Sequence, residues 1–235
     1  VDNSLVRSFI TLILACISYS FAPTTAAMMD IRSSQESQLD FSLLVQQNTL
    51  SLRNTEKNLE TDVLRMGFQV IDIPPNLPIQ VGFGVGYAFV HQQTVSGLNN
   101  ANMGGLYLAM LARTTLFETP SWSSETIFAY DYLTVEDNSE TQNTGLRWNH
   151  FTVEANLNYW LSSYLSIKFG AVYGLLNAKL SGSGDTNASL ALDTDERIAA
   201  FVAINYHVAY QQKLAITIQQ GYYDRLVVQF QRTFY

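Results

Sequence analysis

From Gln38 onward the hydrophobic positions of this chain recur every second residue, and the run from Trp148 to Trp160 (WNHFTVEANLNYW) shows it best. Phe151, Val153, Ala155, Leu157 and Tyr159 fall on one side of an extended strand, with Thr152, Glu154, Asn156 and Asn158 on the other, because side chains on a strand alternate between its two faces. An ordinary globular strand runs about five or six residues. A strand crossing a bilayer at a steep tilt needs roughly nine to eleven, and this alternation is longer still. Matching the same period elsewhere predicts ten strands, at 38–49, 60–73, 79–91, 104–117, 125–136, 147–160, 164–180, 196–210, 213–221 and 225–235.

The connections alternate in character. Pro74 to Pro78, Glu118 to Ser124, Leu161 to Ser163 and Gln211-Gln212 are short, whereas 92–103, 137–146 and 181–195 read as long polar loops. Short turns at one end and long loops at the other are the asymmetry of an outer-membrane barrel. The hairpin from Lys213 to Tyr235 is the exception, with a short connection at the loop end.

Two strands show what fills such a barrel. Ile79, Val81, Phe83, Val85, Tyr87 and Phe89 alternate with Gln80, Gly82, Gly84, Gly86 and Ala88, and Leu165 to Leu175 repeats the arrangement around Ser166, Lys168, Gly170, Val172 and Gly174. Large residues turned to lipid and small ones turned inward suit a narrow barrel. With VGFGVGYAF (Val81 to Phe89), IKFGAVYGL (Ile167 to Leu175) and its aromatic C-terminus, the chain from 38 to 235 resembles the small Gram-negative outer-membrane barrels, the opacity-type and outer-membrane-protein-A-like group. The resemblance implies an all-β, up-and-down antiparallel transmembrane barrel of about ten strands, within a range of eight to twelve, with both termini in the periplasm. It also implies recognition by the barrel-assembly machinery through a C-terminal aromatic in phase with the apolar face. Leu226, Val228, Phe230 and Phe234 share that phase, and Tyr235 departs from it.

Turning each strand's apolar set to lipid places Asp40, Arg65, Arg113, Asp131, Glu154 and Lys168 on the inward face, three acids against three bases. An unpaired charge in a low-dielectric interior costs several kcal/mol. The balance therefore suggests a paired, charge-balanced network in a narrow lumen; a wet lumen in which these groups meet water is the other reading. Tyr87, Tyr130, Tyr132, Tyr159, Tyr173 and Tyr206 fall on the outward sets and are candidates for the aromatic girdles at the two interfaces.

Composition sharpens the class. Only 14% of residues are charged, against about 25% in a typical soluble domain. The net charge of −7 argues against a nucleic-acid-binding surface, which would show a basic patch. Residues 1–27 read as a signal peptide, with Arg7, the apolar run Phe9 to Ile17 and a Thr25-Ala26-Ala27 cleavage site, followed by a polar lead-in at 28–37. The single cysteine, Cys16, lies in that signal; Ile13-Leu14-Ala15-Cys16 resembles a lipidation motif, and a disulfide or cysteine metal site is excluded.

Catalytic signals are weak. His150 and His207 share the inward parity, but a lipid-modifying hydrolase needs a serine or acid placed beside such a histidine; Thr152 and then Glu154 follow His150 on its face. Gly82, Gly84 and Gly86 precede no helix that would present its N-terminus to a phosphate. No calcium-loop spacing occurs among the loop acids Glu136, Asp137, Glu140, Asp185, Asp193, Asp195 and Glu196. No enzyme activity, cofactor or metal is expected. The expected partners are outer-membrane lipid and lipopolysaccharide, the assembly machinery, and small solutes or an extracellular ligand at the loops. The function expected is that of a structural or porin-like outer-membrane barrel with surface-exposed loops. Two alternatives stand beside it: an outer-membrane lipid-modifying enzyme, and a secreted soluble barrel that binds an apolar ligand.

Overall fold

The computed structural model describes residues 38–53, 58–74, 77–92, 101–138, 142–184, 188–194, 197–209 and 211–234. The segments expected to be a signal peptide (1–27) and a lead-in (28–37), with Cys16, and also Tyr235 and the loop acids Glu140, Asp185, Asp195 and Glu196, lie outside the described residues. Eleven strands follow in order: β1 (Gln38–Arg53), β2 (Asn58–Ile73), β3 (Ile79–Gln92), β4 (Ala101–Glu118), β5 (Trp122–Asn138), β6 (Gln142–Ser162), β7 (Leu165–Gly184), β8 (Ala188–Asp193), β9 (Ile198–Ala209), β10 (Gln212–Gly221) and β11 (Tyr223–Phe234). Consecutive strands pair antiparallel except β8 and β9, which both pair β7, and β11 pairs β1 from Leu39↔Phe234 to Leu50↔Tyr223, closing the sheet. Closure removes the free edges that an open sheet would expose. The outcome is an all-β, closed antiparallel barrel of ten strands with one extra strand.

The ten-strand reading holds for the barrel, and the extra strand is an addition to it. β8 pairs the upper part of β7 (Ala178↔Leu192, Leu180↔Leu190) while β9 pairs the lower part (Leu165↔Tyr206 to Tyr173↔Ile198). Asp193 at the end of β8 reaches Arg53 of β1. Two of the stretches read as long loops are therefore largely strand: β5 and β6 stay in register up to Asn138↔Asn143, and β7 and β8 occupy most of 181–195. Polarity misled there, because a strand standing beyond the bilayer has a water-facing outer side and needs no lipid-facing apolar set.

The outward face is an apolar belt. Phe83, Leu108, Met110, Phe128, Ile204 and Ile218 are all exposed, Met110 to 66%. A continuous apolar band of that extent belongs in hydrocarbon, which overturns the soluble-barrel alternative, since such a barrel would turn its large apolar residues inward. Aromatic groups flank the belt. At the turn end Trp122 packs on Tyr159 at 4.5 Å and Tyr164 on Tyr206 at 6.2 Å; at the loop end Tyr87 packs on Phe89 at 4.9 Å. Eight residues of β6 separate Tyr159 from Phe151, about 26 Å of strand, or about 20 Å of depth at a tilt near 40°.

Candidate functional site: the barrel interior

The inward face changes character along the barrel axis. In the turn half it is rich in polar side chains drawn from most of the strands. Asp40 of β1 accepts from Thr233 of β11 at 2.6 Å and pairs with Arg113 of β4 at 3.3 Å; the Arg113 Nε also donates to Gln80 of β3 at 2.6 Å. Lys168 of β7 pairs with Glu125 of β5 at 3.1 Å, and Asn156 donates to Glu154 at 2.9 Å along β6. Asn205 of β9 donates to Ser166 and Asn158, at 3.2 and 3.3 Å. Strand register, set by alternation, aims each of these at the axis.

At mid-barrel a second group gathers. Arg65 of β2 pairs with Asp131 of β5 at 3.5 Å, and its guanidinium lies over the rings of Trp148 (4.8 Å) and Tyr107 (5.3 Å). His150 of β6 faces Asp131 with Nδ1 at 3.6 Å and has Nε2 3.0 Å from the hydroxyl of Tyr222, at the β10–β11 turn. Arg225 donates to Tyr223 at 3.3 Å. A cavity of about 10 Å³ lies among Arg65, Asp131, Trp148 and His150, room for one water molecule.

Above this level the lumen is mainly apolar, with Thr61, Gln92 and Thr144 buried among the hydrocarbon side chains. Leu50 and Leu52 of β1, Leu59 and Val63 of β2, Met103 of β4, Leu133 and Val135 of β5, Leu146 and Trp148 of β6, Leu176 and Leu180 of β7 and Leu192 of β8 form one buried cluster. Leu52, Val63, Leu133 and Leu146 are each 0% exposed. The sequence reading assigned polar and small residues to the whole inward face; above mid-barrel the structure reverses this, since the strands there have left the bilayer and no lipid competes for their apolar side chains.

All six charged residues singled out by alternation point inward. Asp40 meets Arg113 and Arg65 meets Asp131, whereas Lys168 finds Glu125, and Glu154 has an amide partner rather than a cation. Alternation missed Glu125, Lys213 and Arg225, each the first residue of its predicted strand, where one neighbour is too few to fix a face. Tyr222 and Tyr223 were missed because they sit at a hairpin turn and fold into the lumen, where both are buried. His207 lies on Trp160 with ring centres 4.6 Å apart, away from the His150 group. Among the described residues no group of three or more His, Cys, Asp or Glu is placed to hold a metal. Glu136 pairs with Arg147 at 3.9 Å on the outer surface.

No protein-family model and no curated protein matches the sequence. Solved structures do match in fold. The translocator domain of the autotransporter NalP from Neisseria meningitidis superposes with a TM-score of 0.50 at 8% identity, covering 100% of this chain and 97% of that one. The transport unit of the autotransporter AIDA-I from Escherichia coli gives 0.48 at 8% identity over 93% and 96%, and the outer membrane protease OmpT from Escherichia coli gives 0.46 at 9% over 89% and 100%.

Proposed function

The fold is that of an outer-membrane β-barrel, and we propose that this one is a non-conducting structural barrel, closed near its outer end and carrying a strand-built rim above the membrane. The observation that carries this reading is the apolar cluster across the loop half of the lumen, from Leu52 on β1 round to Leu192 on β8. An ion entering it would lose its hydration to hydrocarbon side chains, at a cost of many kcal/mol. The turn half, by contrast, is a polar vestibule. Lys168 and Glu125, each 20% exposed at their side chains, are partly reachable there. Short turns and both described strand termini lie at this end, the arrangement of periplasmic ends in barrels of this kind.

The central histidine supports the same reading rather than a hydrolytic one. His150 is enclosed by Asp131, Tyr222 and Tyr223 below the apolar cluster, where an acyl chain in the bilayer has no path to it. Its role is to complete a buried hydrogen-bonded group whose members would otherwise be costly to bury. The test is solute release from liposomes carrying the folded protein, with insertion checked by protease protection. Retention of small sugars and ions despite insertion supports closure; release at the rate of an open pore overturns it.

A further inference from the structure

The cavity of about 10 Å³ at mid-barrel, beside Asp131 and His150, is lined by Arg65 and Trp148 and also by Asn48 and Tyr223. Neither Arg65 Nε nor Trp148 Nε1 meets an acceptor among the described residues. The Nε of Arg225, whose guanidinium donates to Tyr223 on the cavity wall, lacks one too. Arg65 is 4% exposed and Trp148 1%, so bulk water does not make good the loss. Buried donors of this kind call for an acceptor, either water or an ion. Charge chooses between the two. At this level two guanidinium groups, Arg65 and Arg225, stand against one carboxylate, Asp131, whose Oδ2 is already 3.5 Å from Arg65 and 3.6 Å from His150 Nδ1. Glu154, four residues further down β6, is held by the Asn156 amide. Over the whole lumen below the apolar cluster the described residues carry five cations, Arg65, Arg113, Lys168, Lys213 and Arg225, and four acids, Asp40, Glu125, Asp131 and Glu154. With His150 neutral, one positive charge is in excess, and an uncompensated charge in a low-dielectric interior is costly.

We infer that this cavity is a binding site for one small monovalent anion of the halide class, which accepts from Trp148 Nε1 and Arg65 Nε and neutralises the surplus charge. A halide is little larger than a water molecule and accepts hydrogen bonds from several directions at once. Sulfate or an organic anion exceeds the space. The ion enters from the polar vestibule, toward which Asp131 keeps 22% of its side chain exposed, while Leu50 and Leu176 of the apolar cluster complete the wall. Because the site exists only in the folded barrel, the bound ion stabilises that state by mass action. Binding does not require the loop end to be closed, so it stands or falls apart from the non-conducting reading.

The test uses the full folded chain in detergent micelles at constant pH and ionic strength, with sodium chloride or bromide exchanged stepwise for sodium gluconate. The urea midpoint of the native protein should rise with halide and level off as the site fills, in contrast to the unsaturable trend of a general salt effect. Crystals grown in bromide should show an anomalous peak inside the barrel beside Trp148 Nε1. Trp148→Phe keeps an aromatic ring beside Arg65 and removes the donor, and the halide concentration giving half of the effect should rise about tenfold. Arg147→Gln, which removes an exposed cation of the outer surface, should respond as the native chain does. Absence of a saturable rise, or an unchanged halide response in Trp148→Phe, overturns the inference. A bromide crystal whose cavity density carries no anomalous signal does so too, since the occupant is then water. So does bromide found on exposed cations alone, an adventitious ion only. Should Trp148→Phe fail to fold, the bromide position in the native crystal decides.

Discussion

The guanidinium of Arg65 lies 4.8 Å from the centre of the Trp148 ring, at the level where the lumen turns from polar to apolar. Below it stands Asp131, at 3.5 Å; on the other side begins the cluster of Leu133, Leu146 and Leu180. Arg65 thus joins the two regions, giving its charge to the network and its flat face to the indole.

Trp148 is 1% exposed and among the largest fully buried side chains. Trp148→Ala should cost about 3 to 5 kcal/mol, read as a lowered urea midpoint for unfolding from detergent micelles. A change below about 1 kcal/mol would mean that the indole is not packed as described.

Breaking the central ion pair from one side leaves a buried charge without its partner. Asp131→Asn should destabilise by about 3 to 5 kcal/mol, and R65M/D131L should recover much of that loss, because a buried pair and a well-packed apolar replacement are often close in energy. A double-mutant cycle reads the coupling; additive losses would show that Arg65 and Asp131 act independently.

Gly174 has its Cα under the Tyr222 hydroxyl, and a Cβ there would collide with it. Gly174→Val should therefore expel Tyr222 from its place beside His150 and slow folding or lower the yield of heat-resistant barrel. Gly174→Val/Tyr222→Ala should restore part of it. Gly221, at φ 144°, holds the turn before Tyr222, and Gly221→Ala is expected to be harmful both through backbone strain and because a Cβ there would meet the backbone of Ile198 and Ala199.

Phe169 is 40% exposed on the outer belt of β7. Phe169→Arg should lower membrane stability by about 2 to 4 kcal/mol near the midplane, measured as a shift in the folding equilibrium into lipid vesicles. Equal insertion would mean that Phe169 does not face lipid.

Much of the architecture is legible in the sequence because a bilayer imposes one rule on every strand within it: large apolar residues outward, the rest inward. Ile79 to Phe89 and Leu165 to Leu175 obey the rule throughout, and the faces assigned from them are those of the structure. Beyond the bilayer the rule lapses, and there the reading erred. Leu190 and Leu192, opposite Leu180 and Ala178, keep the alternation that would have revealed β8, but with the large residues inward, so 181–195 looked like polar loop. The interior network is legible by parity and not by partner. Lys168 could be aimed at the lumen from its own strand, while its contact with Glu125 depends on β5, β6 and β7 lying side by side in one register.

The account turns on a lumen open below and closed above, and cysteine accessibility tests that division most directly. In a Cys16→Ser background, Gln231→Cys would place a thiol in the turn-half vestibule, and Val135→Cys, at a position 1% exposed, would place one in the apolar cluster. With the protein inserted in vesicles, a membrane-impermeant thiol reagent should label the first from the turn side only and the second from neither side. Rapid labelling of Val135→Cys from either side in the folded protein, or of Gln231→Cys from the loop side, would contradict the closed barrel.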